Sequence, residues 1–192
     1  MDKNAKIQRE FFNELAPDWR KGYPASEAVF NDLFSSFILS GATVLDVGCG
    51  TGVLTGYLAK RCRFVDAIDL SDKMIERAKK EVCYPNVSFS VADFYTFIGS
   101  YDFIFVFDAY PHFSDKEAFA KQAGRLLQPG GTLVIAFDES REKIDAHHHG
   151  MADGLSVGLR SPREEAEVFL PDFSVVGSRD DDKYLLALRK RN

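Results

Sequence analysis

Apolar and β-branched residues gather in five short runs: TVLDV (43–47), RFVDAIDL (63–70), VSFSVADF (87–94), YDFIFVFDAY (101–110) and GTLVIAFDE (131–139). Runs of this length and type read as strands. Between most of them lie VLTGYLAKRC (53–62), DKMIERAKKEV (72–82) and DKEAFAKQAGRLL (115–127), whose apolar residues recur at helical spacing. Strands that are apolar along their whole length and alternate with helices predict an α/β fold with a mostly parallel sheet covered on both faces.

The ends of the chain depart from that alternation. NAKIQREFFNELAPDW (4–19) and SEAVFNDLFSSFIL (26–39) predict two amphipathic helices ahead of the first strand. SPREEAEVFL (161–170) predicts a helix capped by Ser161 with Pro162 at its first position. FSVVGSRD (173–180) and KYLLALRK (183–190), joined across the turn-forming DDD, predict an antiparallel strand pair. Residues 140–160 carry no clear period and are punctuated by Gly150, Gly154 and Gly158, which predicts a long loop after the fifth strand.

Composition narrows the function classes. A chain of 192 residues suits one domain. No window approaches the roughly 18 apolar residues of a membrane span, and the polar start MDKNAKIQRE is unlike a secretory signal. Cys49, Cys62 and Cys83 lack C-x-x-C spacing and read as reduced thiols. A cytoplasmic protein is expected, with no membrane partner. The net charge of −5 argues against a nucleic-acid substrate.

Ligands of open α/β sheets bind beyond the carboxyl ends of the strands. The first run ends in LDVGCGTGVLTG (45–56), where Gly48, Gly50 and Gly52 predict a tight strand-to-helix turn that lets a ligand approach the backbone. A dinucleotide site wants a third glycine where Val53 stands, and Asp46 would repel a pyrophosphate. A carboxylate there suits an ammonium or sulfonium group instead. Asp69 lies 21 positions after Gly48 at the next strand end, placed to accept two hydrogen bonds from a ribose diol. Asp46, Asp69, Asp93 and Asp108 all fall at strand ends, which favours a cationic ligand over a phosphate. Any one of them taken alone also reads as a cap or turn residue.

At DVGCGTG (46–52) the sequence resembles the class I S-adenosylmethionine-dependent methyltransferases, in the small, single-domain, type 11/type 25-like form. The resemblance continues through AIDLSDKMI (67–75), VADF (91–94), FVFDAYPHF (105–113) and LLQPGGTLVIAF (126–137), and FFNELAPDW (11–19) is similar to the opening of the menaquinone- and ubiquinone-type branch. It implies a Rossmann-like sheet and S-adenosylmethionine as cofactor. Asp46, Gly48, Cys49, Gly50 and Gly52 would hold its methionine part, Asp69 its ribose, and Leu70 and Met74 its adenine. Ala92, Asp93 and Phe94 would border the adenine amino group, Asp108 the methyl group, and Trp19 would cover the cofactor. Cys49 reads as a small packing residue and Phe11 and Phe12 as core, while Trp19 stands open between core and cover.

Methyl transfer from a sulfonium needs alignment and exclusion of water, with a base only where the accepting atom is protonated. DAHHHGMADG (145–154) holds His147, His148 and His149, and His112 follows the fourth strand. Three readings of these histidines stand side by side: a base or orienting donor among His112, His147, His148 and His149, a polar lid without chemistry, and a metal site. No ligand spacing supports the metal, so none is expected.

The sequence therefore predicts one domain, with a helical cap over 1–40, a cofactor core over 41–138, a lid over 139–161 and a helix with the strand pair over 162–192. The expected function is methyl transfer to a small-molecule acceptor by in-line displacement, in a monomer or homodimer. The alternative is a catalytically silent cofactor-binding module that acts as a sensor or partner-binding protein.

Overall fold

TVLDV forms β1, Thr43–Val47, and every residue after Thr43 is buried, as a strand covered on both faces requires. It pairs in parallel with β2, Phe64–Asp69, in the register Val44↔Val65. β2 pairs in parallel with β3, Val87–Val91. The computed structural model describes residues 3–19, 26–148 and 155–192, and the chain divides into two compact units, Met1–Phe97 and Ile98–Asn192.

In the first unit α3, Val53–Ala59, and α4, Asp72–Glu81, alternate with the strands. Val44, Leu45, Leu58, Val65 and Ile68 are at most 1% exposed, and each such burial contributes about 1.5–3 kcal/mol. Ser71 starts α4 by accepting the Met74 N–H on its hydroxyl. Two further helices precede β1: α1, Lys3–Leu15, and α2, Glu27–Phe34. Arg9 and Asn13 of α1 both donate to the Asp72 carboxylate, at 2.9–3.1 Å. Those bonds hold the Asp72 carboxyl below its ordinary range, Asn13 contributing most. Phe30 and Phe34 of α2 pack against Tyr57 of α3.

The second unit is built on β4, Tyr101–Phe107, and β5, Leu127–Phe137, which pair in parallel. β7, Tyr184–Lys190, joins β5 in antiparallel fashion and β6, Phe173–Asp180, joins β7, giving the order β4-β5-β7-β6. The strand pair predicted around DDD is therefore present. α5, Lys116–Leu126, connects β4 to β5, and Asp115 caps it through the Ala118 N–H. α7, Pro162–Ala166, carries the cap predicted at Ser161, extended to a capping box in which the Glu164 carboxylate accepts the Ser161 N–H.

The segment expected to be a loop after the fifth strand differs. Residues Arg141–His148 form α6. Its first turn closes on the Ser140 carbonyl, Ile144 is its one buried residue, and Asp145 accepts the Leu159 N–H at 2.9 Å. A single apolar anchor gives no readable period, which is why the helix is invisible in the pattern.

Candidate functional site

The glycine turn after β1 is built from backbone that ordinary residues avoid. Gly48, Gly50 and Gly52 have φ of 69°, 53° and 84°, the left-handed region that favours glycine. The Gly48 and Cys49 N–H groups both donate to the Ile68 carbonyl at the end of β2. Gly52 opens α3, and a Cβ there would lie 3.0 Å from Val82 Cγ2 and 3.2 Å from Phe89 Cζ.

Asp69 locks the turn. Its Oδ2 accepts the Gly50 N–H at 2.9 Å and its Oδ1 the Ser71 N–H at 2.8 Å. Burial raises its carboxyl above the ordinary value, and these backbone donors pull it back in part. Each oxygen keeps a second lone pair for a ligand hydroxyl.

Asp46 is 1% exposed, and its Oδ2 accepts the Thr55 hydroxyl at 2.6 Å. Burial pushes its carboxyl up to about 7, Thr55 opposes the shift and the Asp69 charge adds to it. Thr55 is a residue the sequence reading missed. It lies nine positions after Asp46 on the first turns of α3, a spacing that a strand-turn-helix unit folds back onto the strand end.

Leu70 is half-buried, whereas Met74 is 1% exposed and sits in the core of the first unit. Ala92 donates its N–H to the Asp69 carbonyl. Asp93 is half-buried and caps the 3₁₀ turn Phe94–Thr96 through the Tyr95 N–H, and Phe94 is buried. Cys49 is buried and burial pushes its thiol far up, so it is a packing residue and no nucleophile. Phe11 and Phe12, expected in the core, are only half-buried. Phe12 meets Trp19 edge-on at 5.8 Å between centroids, and a Cβ on Gly50 would lie 3.5 Å from Trp19 Nε1. The indole thus borders the glycine turn.

In the second unit, Asp108 follows β4 with φ of 52°, a strained value for a non-glycine residue. Burial raises its carboxyl well above the ordinary range, and the Asp138 and Glu139 charges raise it further. His112 closes the 3₁₀ turn Tyr110–His112. Its Nδ1 lies 2.7 Å from the Leu155 carbonyl. A carbonyl only accepts, so Nδ1 carries the proton and Nε2 is the nitrogen able to take one. Burial lowers the His112 imidazole to about 4, with the Leu155 bond opposing and the His148 and Lys116 charges adding to the shift.

His148 meets His112 edge-on at 5.3 Å between ring centroids. Its Nδ1 is held the same way, 2.9 Å from the Ile144 carbonyl one turn back along α6, and burial lowers its imidazole too. His147 turns elsewhere, its Nδ1 3.2 Å from the Glu139 carboxylate on a side chain 56% exposed. The structure therefore brings together His112 and His148 out of the four histidines, and sets His147 apart. His149 lies outside the described residues. Among the described residues no group of three or more His, Cys, Asp or Glu side chains could hold a metal ion.

Residues 44–131 match the methyltransferase-domain family. Over that stretch the chain is similar to the class I S-adenosylmethionine-dependent methyltransferases. That family uses S-adenosylmethionine. The chain is 42% identical over 102 residues to the 2-methyl-6-phytyl-1,4-hydroquinone methyltransferase of Synechocystis sp., covering 50% of this chain and 32% of that protein. It is 32% identical over 143 residues to the ubiquinone biosynthesis O-methyltransferase of Xanthomonas oryzae pv. oryzae, covering 71% of this chain and 59% of the relative. The chain thus spans less than two thirds of the length of these curated relatives. Its fold is that of the N-methyltransferase NodS of Bradyrhizobium japonicum solved with S-adenosyl-L-homocysteine, with a TM-score of 0.73, 19% identity and both chains covered in full. The methyltransferase fold of seven strands with an antiparallel carboxyl-terminal pair is the one expected.

The first unit suits this family's cofactor. Thr51 in the glycine turn is 0% exposed, and its hydroxyl has no hydrogen-bond partner among the described residues. The glycine cradle, this orphaned hydroxyl, the buried Asp46 carboxylate, the half-buried Asp69 carboxylate and the bordering indole make a place for a cationic, hydroxyl-bearing ligand.

Proposed function

We propose that the chain is an S-adenosylmethionine-dependent methyltransferase acting on a small-molecule acceptor. The observation that carries this reading is Asp69 bridging the glycine turn and the start of α4 while keeping lone pairs for a ribose diol. When bound, the cofactor supplies a methyl group activated by its sulfonium. Gly48, Gly50 and Gly52 admit it against the backbone, Asp46 offsets its positive charge, and Trp19 shields it from water. Cys49, Leu70, Met74, Ala92, Asp93 and Phe94 complete the cofactor side of the first unit, and Asp108 is the second unit's candidate toward the methyl group.

His112 and His148 serve the acceptor. Each presents Nε2 as its unprotonated nitrogen, suited to accept a hydrogen bond or a proton from an acceptor O–H or N–H as the new bond to carbon forms. The curated relatives are named for hydroquinone and ubiquinone-pathway methylation, which favours a phenolic acceptor for this chain as well. Both units then serve one methyltransferase domain, active in the cytosol as a monomer or homodimer without nucleic acid. No helix among the described residues is long and apolar enough to cross a membrane.

Calorimetric titration tests the cofactor assignment. S-adenosylmethionine and S-adenosylhomocysteine should bind and NAD should not. Binding of NAD with no response to the sulfonium compound would overturn it.

A further inference from the structure

Glu165 is a buried charge that methyl transfer does not use. It is 0% exposed on α7, and the capping box at Ser161 sets its place. Its two oxygens reach in different directions. Oε1 accepts the Tyr110 hydroxyl at 2.6 Å, and Oε2 accepts Arg160 Nε at 3.0 Å.

Those two partners stand on the two sides of the bond that holds His112. Tyr110 begins the turn that ends in His112. Arg160 ends the 155–160 segment, whose Leu155 carbonyl accepts from His112 and whose Val157 N–H donates to the Pro111 carbonyl at 2.8 Å. Lys116 supports the same turn from α5. Its ammonium donates to the Tyr110 carbonyl at 2.7 Å and lies 3.4 Å from the centroid of the Tyr110 ring.

A buried carboxylate without donors is costly, so this Glu strongly favours the arrangement that supplies both. We propose that Glu165 is a positioning residue that grips the Tyr110 turn and the 155–160 segment together, and so sets the His112 imidazole in its Nδ1–H form. The proposal deepens the reading of His112 as a residue that meets the acceptor, and rests on it.

Nitrogen NMR of the His112 ring in the full chain, in the absence of any ligand, reads the tautomer directly. Tyr110→Phe removes one hydroxyl and keeps the ring against Phe119, 5.2 Å away. Glu165→Gln keeps the shape and loses the charge, and Arg160→Gln alters a half-exposed side chain. All three should loosen the His112–Leu155 bond and mix the Nδ1–H and Nε2–H forms. With an identified acceptor, kcat should fall by about tenfold in the Tyr110 and Glu165 variants, while S-adenosylmethionine affinity stays within about twofold. An unchanged His112 spectrum in any folded variant overturns the positioning role. A wild-type chain that transfers no methyl group would overturn the functional reading, and the ring spectra would still decide this one.

Discussion

One oxygen of the Asp69 carboxylate accepts the Gly50 N–H at 2.9 Å, tying the end of β2 to the middle of the glycine turn across 19 residues of chain. The same carboxylate accepts the Ser71 N–H. Asn at this position offers one acceptor oxygen where two backbone donors need one each. Asp69→Asn should therefore lower both the melting temperature and S-adenosylmethionine affinity, the latter by about tenfold or more. Calorimetry beside a thermal melt checks this, and a variant that binds as well as wild type would show that the turn holds without Asp69.

Asp46 gives a pH dependence. Its carboxyl sits near 7 in the unliganded chain, and a cation bound beside it would favour the charged form. Binding then releases a proton, so affinity should rise with pH between about 6 and 8 and level off above. Titrations in buffers of different ionisation heat measure that proton. Flat affinity with no release would remove Asp46 from the cationic side of the ligand.

Tyr184 is 0% exposed, and its hydroxyl has no hydrogen-bond partner among the described residues. An orphaned buried hydroxyl costs about 1–3 kcal/mol. Tyr184→Phe keeps the edge contact with Phe137 and should be neutral to stabilising in chemical denaturation. A loss of stability above about 1 kcal/mol would mean the hydroxyl has a partner such as buried water.

Lys116 is 9% exposed, and burial lowers its ammonium to about 7. Between that value and the ordinary one the unfolded chain holds more protons than the folded chain, so this group makes stability rise with pH across the window. Lys116→Met should flatten the rise measured by urea unfolding between about pH 7 and 10. The same slope in both proteins would place the ammonium in water.

The strands were legible because a strand buried on both faces must be apolar throughout, as TVLDV and GTLVIAF are. The glycine turn was legible too, since the sequence spells out positions that need positive φ. The partners of the charged groups were not. Glu165 sits in a polar helix and reads as surface, and its partner Tyr110 lies 55 residues away. α6 was hidden because only Ile144 of its eight residues is buried, and with it the division between His148, beside His112, and His147, facing Glu139.

Methyl transfer itself is read with labelled S-adenosylmethionine, offered phenolic acceptors and a small-metabolite extract. Label should enter the low-molecular-weight fraction, fall by about tenfold or more in His112→Ala and His148→Ala and stay within about twofold in His147→Ala, whose side chain is exposed beside Glu139. Tight cofactor binding with no label in any acceptor would contradict it, and would make the chain a binding module.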